Sequence, residues 1–158
     1  MTTTVPAPPS GDTLEALIRS TQALARLLAT GGVVESVLRR SRIDITRADI
    51  HLLGSVAQAG EPIRLGDLAE RLAVDAPSVT RRVQALEARQ LLRRRPDPVD
   101  RRAQRIDLTA AGTRILERAM AAYRAWLADV LADWSEADRE LLADLLARYT
   151  ASVAAEVG

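Results

Sequence analysis

Residues 64–109 read RLGDLAERLAVDAPSVTRRVQALEARQLLRRRPDPVDRRAQRIDLT. Leu65, Leu68, Ala69 and Leu72 recur at helical spacing, so Gly66–Leu72 predicts a short helix with those side chains inward. Asp75 then offers a carboxylate to the unpaired amides of a second helix. Pro77 falls in the first turn of that helix, where a missing N–H costs nothing. The second helix runs to about Arg89 and buries Val79, Val83 and Leu86. Beyond it, Leu91–Arg95 predicts a strand, Pro96–Asp100 a turn and Arg101–Leu108 a second strand, together a hairpin. Two helices across a short turn form a helix-turn-helix, and the hairpin adds a wing.

Working outward, Thr46 opens the preceding helix, where its hydroxyl and the Asp49 carboxylate make a reciprocal cap. That helix buries Ile50, Leu53 and Val56 and ends near Gly60, and Glu61–Arg64 is extended because Pro62 disfavours a helical Glu61. Further upstream, Leu14, Leu17, Ile18, Thr21, Leu24, Ala25 and Leu28 mark an amphipathic helix capped by Asp12 or Thr13. Gly31-Gly32 interrupts it before Val33, Val34, Val37 and Leu38 resume the pattern. Residues 1–11, with prolines at 6, 8 and 9, read as a flexible arm. Downstream, Thr109 caps a helix whose inner face is Ile115, Ala119, Ala122, Tyr123, Trp126 and Val130. Ser135 and Asp138 make a second capping box ahead of a last helix bearing Leu141, Leu142, Leu145, Leu146, Tyr149 and Val153. The expected organisation is an arm (1–11), N-terminal dimerisation helices (12–45), a winged helix-turn-helix (46–109) and C-terminal dimerisation helices (110–158). The class is mainly α with a small β-hairpin.

The chain has 158 residues, 22 basic and 21 acidic, and every basic residue is arginine. Without lysine there is no Walker-type phosphate loop and no Schiff base. Without cysteine there is no disulfide, thiol nucleophile or thiol sensor, and one histidine cannot build a histidine-rich metal site. No Ser-His-Asp spacing stands out, so an enzyme is not expected, and neither is a cofactor. No apolar run approaches the ~18 residues a membrane span needs. The first residues lack a signal peptide's basic and apolar regions, making the cytoplasm the expected compartment. Charge is unevenly placed: residues 64–105 hold eleven arginines against six acids, a surplus of five, whereas 106–158 hold five against nine. A positive middle third anticipates an anionic partner.

Asp75, Ala76, Pro77 and Ser78 keep the first turn of the second helix slender enough for a major groove. Thr80, Arg81 and Arg82 then reach base edges and phosphates, arginine pairing bidentately with guanine. Arg94, Arg95, Asp100, Arg101 and Arg102 belong to the wing, whose tip fits a minor groove. Asp100 and Arg102, two residues apart, share one side of a strand, so the carboxylate can orient the guanidinium. Asp97 and Asp100 pair with arginine more readily than with a metal, since no histidine or cysteine is near.

In order and spacing, RLGDLAERL (64–72), SVTRRVQALEARQLL (78–92) and DRRAQRIDLT (100–109) resemble the MarR family of bacterial transcriptional regulators. The D-x-R followed by L-T at the end of the hairpin is the most specific piece. The resemblance covers about residues 12–155. It implies a homodimer intertwined through its first and last helices, binding duplex DNA with two winged-helix lobes. It also implies a regulator, here expected to be a repressor, that reads a near-palindromic operator and responds to a small, often aromatic, effector. The family's wing-tip pair falls on Asp100 and Arg102. The broken first helix departs from the continuous helix of many members. The only ligand-pocket residue suggested is His51, for which a partly exposed helix position is the commoner case. Trp126 and Trp134 read as core or dimer-seam anchors. The competing function is a winged-helix protein-interaction module, which would bind its partner independently of salt and ignore duplex DNA.

Overall fold

Ser10, not Asp12 or Thr13, starts the first helix in the computed structural model, which describes residues 10–100 and 103–157. Its extended backbone turns the hydroxyl onto the Thr13 amide at 3.3 Å. Helix α1 (Gly11–Ala29) therefore absorbs the end of the expected arm, whose first nine residues lie outside those described. The break falls where Gly31-Gly32 predicts it, before α2 (Gly32–Arg40). Gly31 sits at φ +68°, and a Cβ there would stand 2.6 Å from the Arg47 guanidinium. Arg47 in turn donates to the Ala29 carbonyl at 3.1 Å, so the break is held from α3 (Arg47–Gln58). The Thr46–Asp49 box that opens α3 is reciprocal, as expected.

The remaining elements are β1 (Ile63–Arg64), α4 (Leu65–Leu72), α5 (Ala76–Ala88), β2 (Leu92–Pro96), β3 (Gln104–Leu108), α6 (Ala110–Val130) and α7 (Glu136–Val157). The sheet has three antiparallel strands in the order β1-β3-β2, not two. The extended stretch after Pro62 supplies the third, with Ile63 opposite Ile106 and Arg64 opposite Arg105. Strand β3 runs from Gln104, and Arg101 and Arg102, where the expected strand begins, lie outside the described residues. The Asp97 amide donates to the Ala103 carbonyl at 3.1 Å, and the Ala103 amide to the Asp100 carbonyl at 2.9 Å.

The chain divides into two compact units, Met1–Ala119 and Met120–Gly158. In the first, Leu52, Leu53 and Val56 of α3, Leu68 and Ala69 of α4, Val79, Val83 and Leu86 of α5, and Leu92 and Ile106 of the sheet are buried together. Leu52 was not anticipated, and Ile50 is only half-buried, as are Leu65 and Leu72. The expected Leu53 and Val56 are buried on α3, and Leu52 takes the third core position in place of Ile50. A side chain such as Leu53, fully buried, contributes about 1.5–3 kcal/mol.

The start of α6 is fitted to the end of α5 through one carbonyl. The Thr109 amide donates to Leu91 O at 3.1 Å, and the Thr109 hydroxyl accepts from the Gly112 amide at 3.0 Å. A Cβ on Gly112 would lie 2.1 Å from that same Leu91 O, a backbone atom that cannot swing aside. Gly112→Ala should therefore destabilise the first unit by about 1–3 kcal/mol despite alanine's better helix propensity. Chemical denaturation measures it, and an unchanged or raised midpoint would show that the junction relaxes freely.

In the second unit, the Tyr123 and Trp126 rings stack at 5.5 Å, and Arg139 closes the α6–α7 turn by donating to the Leu131 and Ala132 carbonyls. Ser135 caps α7 through the Asp138 amide at 3.1 Å. Its hydroxyl donates to the Asp138 carboxylate at 2.6 Å, so this box closes side chain to side chain. Val130, expected on the inner face, is 53% exposed, and Trp134 is 43% exposed. No helix among the described residues is long and apolar enough to cross a membrane.

Candidate nucleic-acid interface

Helix α5 owes its placement to its own start. Ala73 closes α4 in the left-handed region at φ 51°, which costs an L-residue about 1 kcal/mol, and the chain re-enters helix three residues later. Asp75 caps it, accepting from the Ser78 amide at 2.9 Å. Its carboxyl is held below the usual carboxylate range, first by the Ser78 side chain and then by that amide. With Val79, Val83 and Leu86 turned into the core, the opposite side of the helix presents Pro77, Arg81, Gln84 and Ala88, all exposed. Ser78 and Thr80 lie at the flanks and are half-buried, and the Thr80 hydroxyl donates to Ala76 O at 2.7 Å. Arg81 donates to the Ser78 hydroxyl at 3.1 Å, which angles its guanidinium toward the N-terminus of the helix.

Arg82 takes a different direction. Its guanidinium meets Asp49 at 2.9 Å, joining α5 to the capping box of α3. Burial alone would raise the Asp49 carboxyl, but the bonds to Thr46 and Arg82 outweigh it and leave it below its ordinary value. Both Arg82 and Ser78 line a cavity of about 590 Å³ whose wall also holds His51, Leu52, Leu72 and Val79. His51 is exposed and opens onto this space.

The wing is an arginine-rich sheet face around two aspartates. Register places Arg64, Arg105 and Arg95 side by side across the three strands, and Arg93 opposite Asp107. Asp107 receives Arg93 at 2.7 Å and Arg95 at 3.0 Å. Asp97 receives Arg64 and Arg105, each at 2.8 Å. Arg94 points to the other face and holds Glu87 of α5 at 2.9 Å, fastening the hairpin to that helix. Glu61 lies 3.9 Å from Arg105 as well, so four guanidiniums share three carboxylates and remain in the majority.

Asp97 is the organising residue. It is 1% exposed, and its other oxygen accepts from the amides of Val99 at 2.8 Å and Asp100 at 3.1 Å. Arg64 foremost, then Arg105 and those two amides, hold its carboxyl far below the usual carboxylate range. The expected pairing of this aspartate with arginine is present. The orienting role expected of Asp100 toward Arg102 falls on Arg101 and Arg102, which lie outside the described residues; Asp100 itself is exposed. Sequence reasoning missed Gln84, Arg93, Arg64 and Arg105. The i+3 step from Arg81 could have found Gln84, and the i+2 run Arg93, Arg95, Asp97 could have found the ion-paired face.

The model of the MarR family matches residues 43–103, from before α3 into the wing. Two proteins of Bacillus subtilis (strain 168) are similar in sequence. The HTH-type transcriptional regulator YdgJ is 32% identical over 104 residues, 66% of this chain and 63% of YdgJ, so the match spans less than two thirds of that relative. The HTH-type transcriptional regulator YxaD is 30% identical over 105 residues, 66% of this chain and 73% of YxaD. Among solved structures, a MarR family protein from Bacillus stearothermophilus superposes with a TM-score of 0.79 at 21% identity, over 93% of this chain and 99% of the other. At that identity the likeness is one of fold: mainly helical, with a small antiparallel sheet.

Proposed function

The chain belongs to the MarR family of transcriptional regulators, and from that premise we propose that it is a cytoplasmic repressor that binds a near-palindromic duplex operator as a homodimer. One observation carries the reading: the exposed row of α5, with Arg81 and Gln84 at its centre, stands beside a wing whose arginines outnumber its carboxylates. The helix would enter a major groove with Asp75, Ala76, Pro77 and Ser78 at its tip. Thr80, Arg94 and Arg95 would approach phosphates. Arg102 stays the candidate for the minor groove on the strength of the D-x-R motif, with Arg101 and Asp100 beside it.

Dimerisation is inferred from unsatisfied apolar surface. No residue of α1 or α7 is buried. Leu14, Leu17, Ile18, Leu24 and Leu28 on the one, and Leu141, Leu145, Leu146 and Tyr149 on the other, are each at least 41% exposed. Soluble chains rarely leave such stripes uncovered. A small aromatic effector with a polar or acidic group would suit the cavity beside His51: its volume is that of a small-molecule site, and its wall sets Leu52, Leu72, Val74 and Val79 against the heads of Arg47 and Arg82.

The test is titration of the full chain against the DNA around its own gene and against random duplex, at several salt concentrations. Specific binding should fall steeply with salt, as phosphate contacts release counterions. Arg81→Ala should cost about 1–3 kcal/mol on the specific duplex and little on the random one. Partner binding that ignores salt, with no affinity for duplex, would support the protein-interaction module instead.

A further inference from the structure

The positive segment is less free than its composition suggests. Arg64, Arg82, Arg89, Arg93, Arg94, Arg95 and Arg105 each lie within 4 Å of a carboxylate of their own chain. An arginine held this way can still face a phosphate with its outer nitrogens, but its fork is not available whole to a base edge. On the exposed row of α5, Pro77 and Ala88 carry no hydrogen-bonding head. Base readout there falls to Arg81 and to Gln84, which is exposed and whose side-chain amide has no partner among the described residues.

We propose that Gln84 is a specificity-determining residue that reads adenine one or two base pairs from the guanine read by Arg81. This rests on the reading that α5 enters the major groove. A carboxamide presents a donor and an acceptor side by side, matching adenine N6 and N7, as the arginine fork matches guanine O6 and N7. Three residues advance a helix by about 4.5 Å, against about 3.4 Å per base pair along one strand. The two heads therefore fall on neighbouring or next-neighbouring pairs. Each half-site of the operator should contain a G·C and an A·T pair in that relation, and most of the paired arginines should contribute without regard to sequence.

The experiment is selection of bound duplexes from a random library by the full-length protein, repeated with Gln84→Ala, Gln84→Arg and Arg81→Ala. Gln84 lies on the solvent face, so each variant should keep the wild-type melting temperature. Gln84→Ala should lose the preference for A at one base pair per half-site and bind the selected operator about tenfold more weakly, with unchanged affinity for random duplex. Gln84→Arg should move that preference from A to G at the same pair and nowhere else. An unaltered motif in both variants, or an equal loss on all duplexes, would overturn the assignment and leave Gln84 outside the groove or on a phosphate. A wild-type protein that selects no motif, or a motif indifferent to Arg81→Ala, would remove the underlying placement of α5 and this inference with it.

Discussion

Asp97→Asn should leave a folded protein whose wing has lost its shape, with operator affinity down by about tenfold. The amide is nearly isosteric with the carboxylate and can still accept the two turn amides. It cannot serve as the common counter-ion of Arg64 and Arg105, which then face each other across β1 and β3 with their partner neutralised. Like charges directly opposite on a sheet are destabilising, so the strand ends should separate and the tip become mobile before binding. DNA would then have to order it again. Hydrogen exchange at the Asp97 and Ala103 amides, which close the turn, should rise well above that of the α3 core. Affinity and exchange both at wild-type values would show that the turn is held without the charge.

The same residue fixes a pH dependence. Its carboxyl titrates well below the usual range in the folded chain, chiefly through Arg64 and then Arg105, and near about 3.9 when unfolded. A group with a depressed folded value stabilises above the unfolded value, and that contribution is lost as pH falls toward the folded one. Wild-type stability should therefore be insensitive to Asp97 from neutrality down to about pH 5, and should decline as pH falls through about 4. Asn has no proton to gain, so the stability gap between wild type and Asp97→Asn should narrow on acidification. Denaturation at pH 7 and pH 3.5 measures both gaps. Equal gaps would mean that Asp97 acts through its shape and hydrogen bonds alone.

Much of this architecture was legible because it depends on neighbours in sequence. The Thr46–Asp49 box, the Asp75 cap and the α5 core positions Val79, Val83 and Leu86 depend on spacings of three or four residues, and the break at Gly31 on a glycine pair. What escaped depends on pairings between distant segments. Strand β1 is two residues long and exists because Ile63 and Arg64 find β3 some forty positions later, a ladder no local pattern announces. Asp97 and Asp100 look alike in PDPVD, and the approach of Arg64 from before α4 and of Arg105 from β3 makes the first an organising carboxylate. Arg82, adjacent to Arg81, reads from sequence as a groove residue. One helical step instead turns it onto Asp49, thirty-three residues upstream, and into the cavity wall beside His51. Charge counting marked the right segment but could not tell an arginine spent on its own chain from one left for a partner.

If the chain dimerises as proposed, Leu145→Asp should give a monomer and abolish binding to the proposed operator at working concentrations. Leu145 is 47% exposed on α7, one turn from Leu141 and one from Tyr149, in a helix with no buried residue. A face of that kind is costly in water and favourable against a second copy, at about 25 cal/mol per Å² of apolar surface covered. A carboxylate in the centre of such a seam loses its hydration without gaining a partner, which costs upward of about 2 kcal/mol. A twofold seam carries the substitution twice, so the dissociation constant of the dimer should rise by on the order of a thousandfold. On the proposed near-palindromic operator, affinity should fall further than for any single contact residue, because a dimer would hold both half-sites at once and a monomer one. Ultracentrifugation gives the mass and duplex titration the affinity. As a control, Leu27→Asp probes the apolar position on α1 that falls outside the expected stripe; with Leu27 already 61% exposed, it should be tolerated if the seam follows that stripe. A soluble Leu145→Asp protein of dimer mass that still bound its operator would place the subunit contact elsewhere. The apolar face of α7 would then need another occupant.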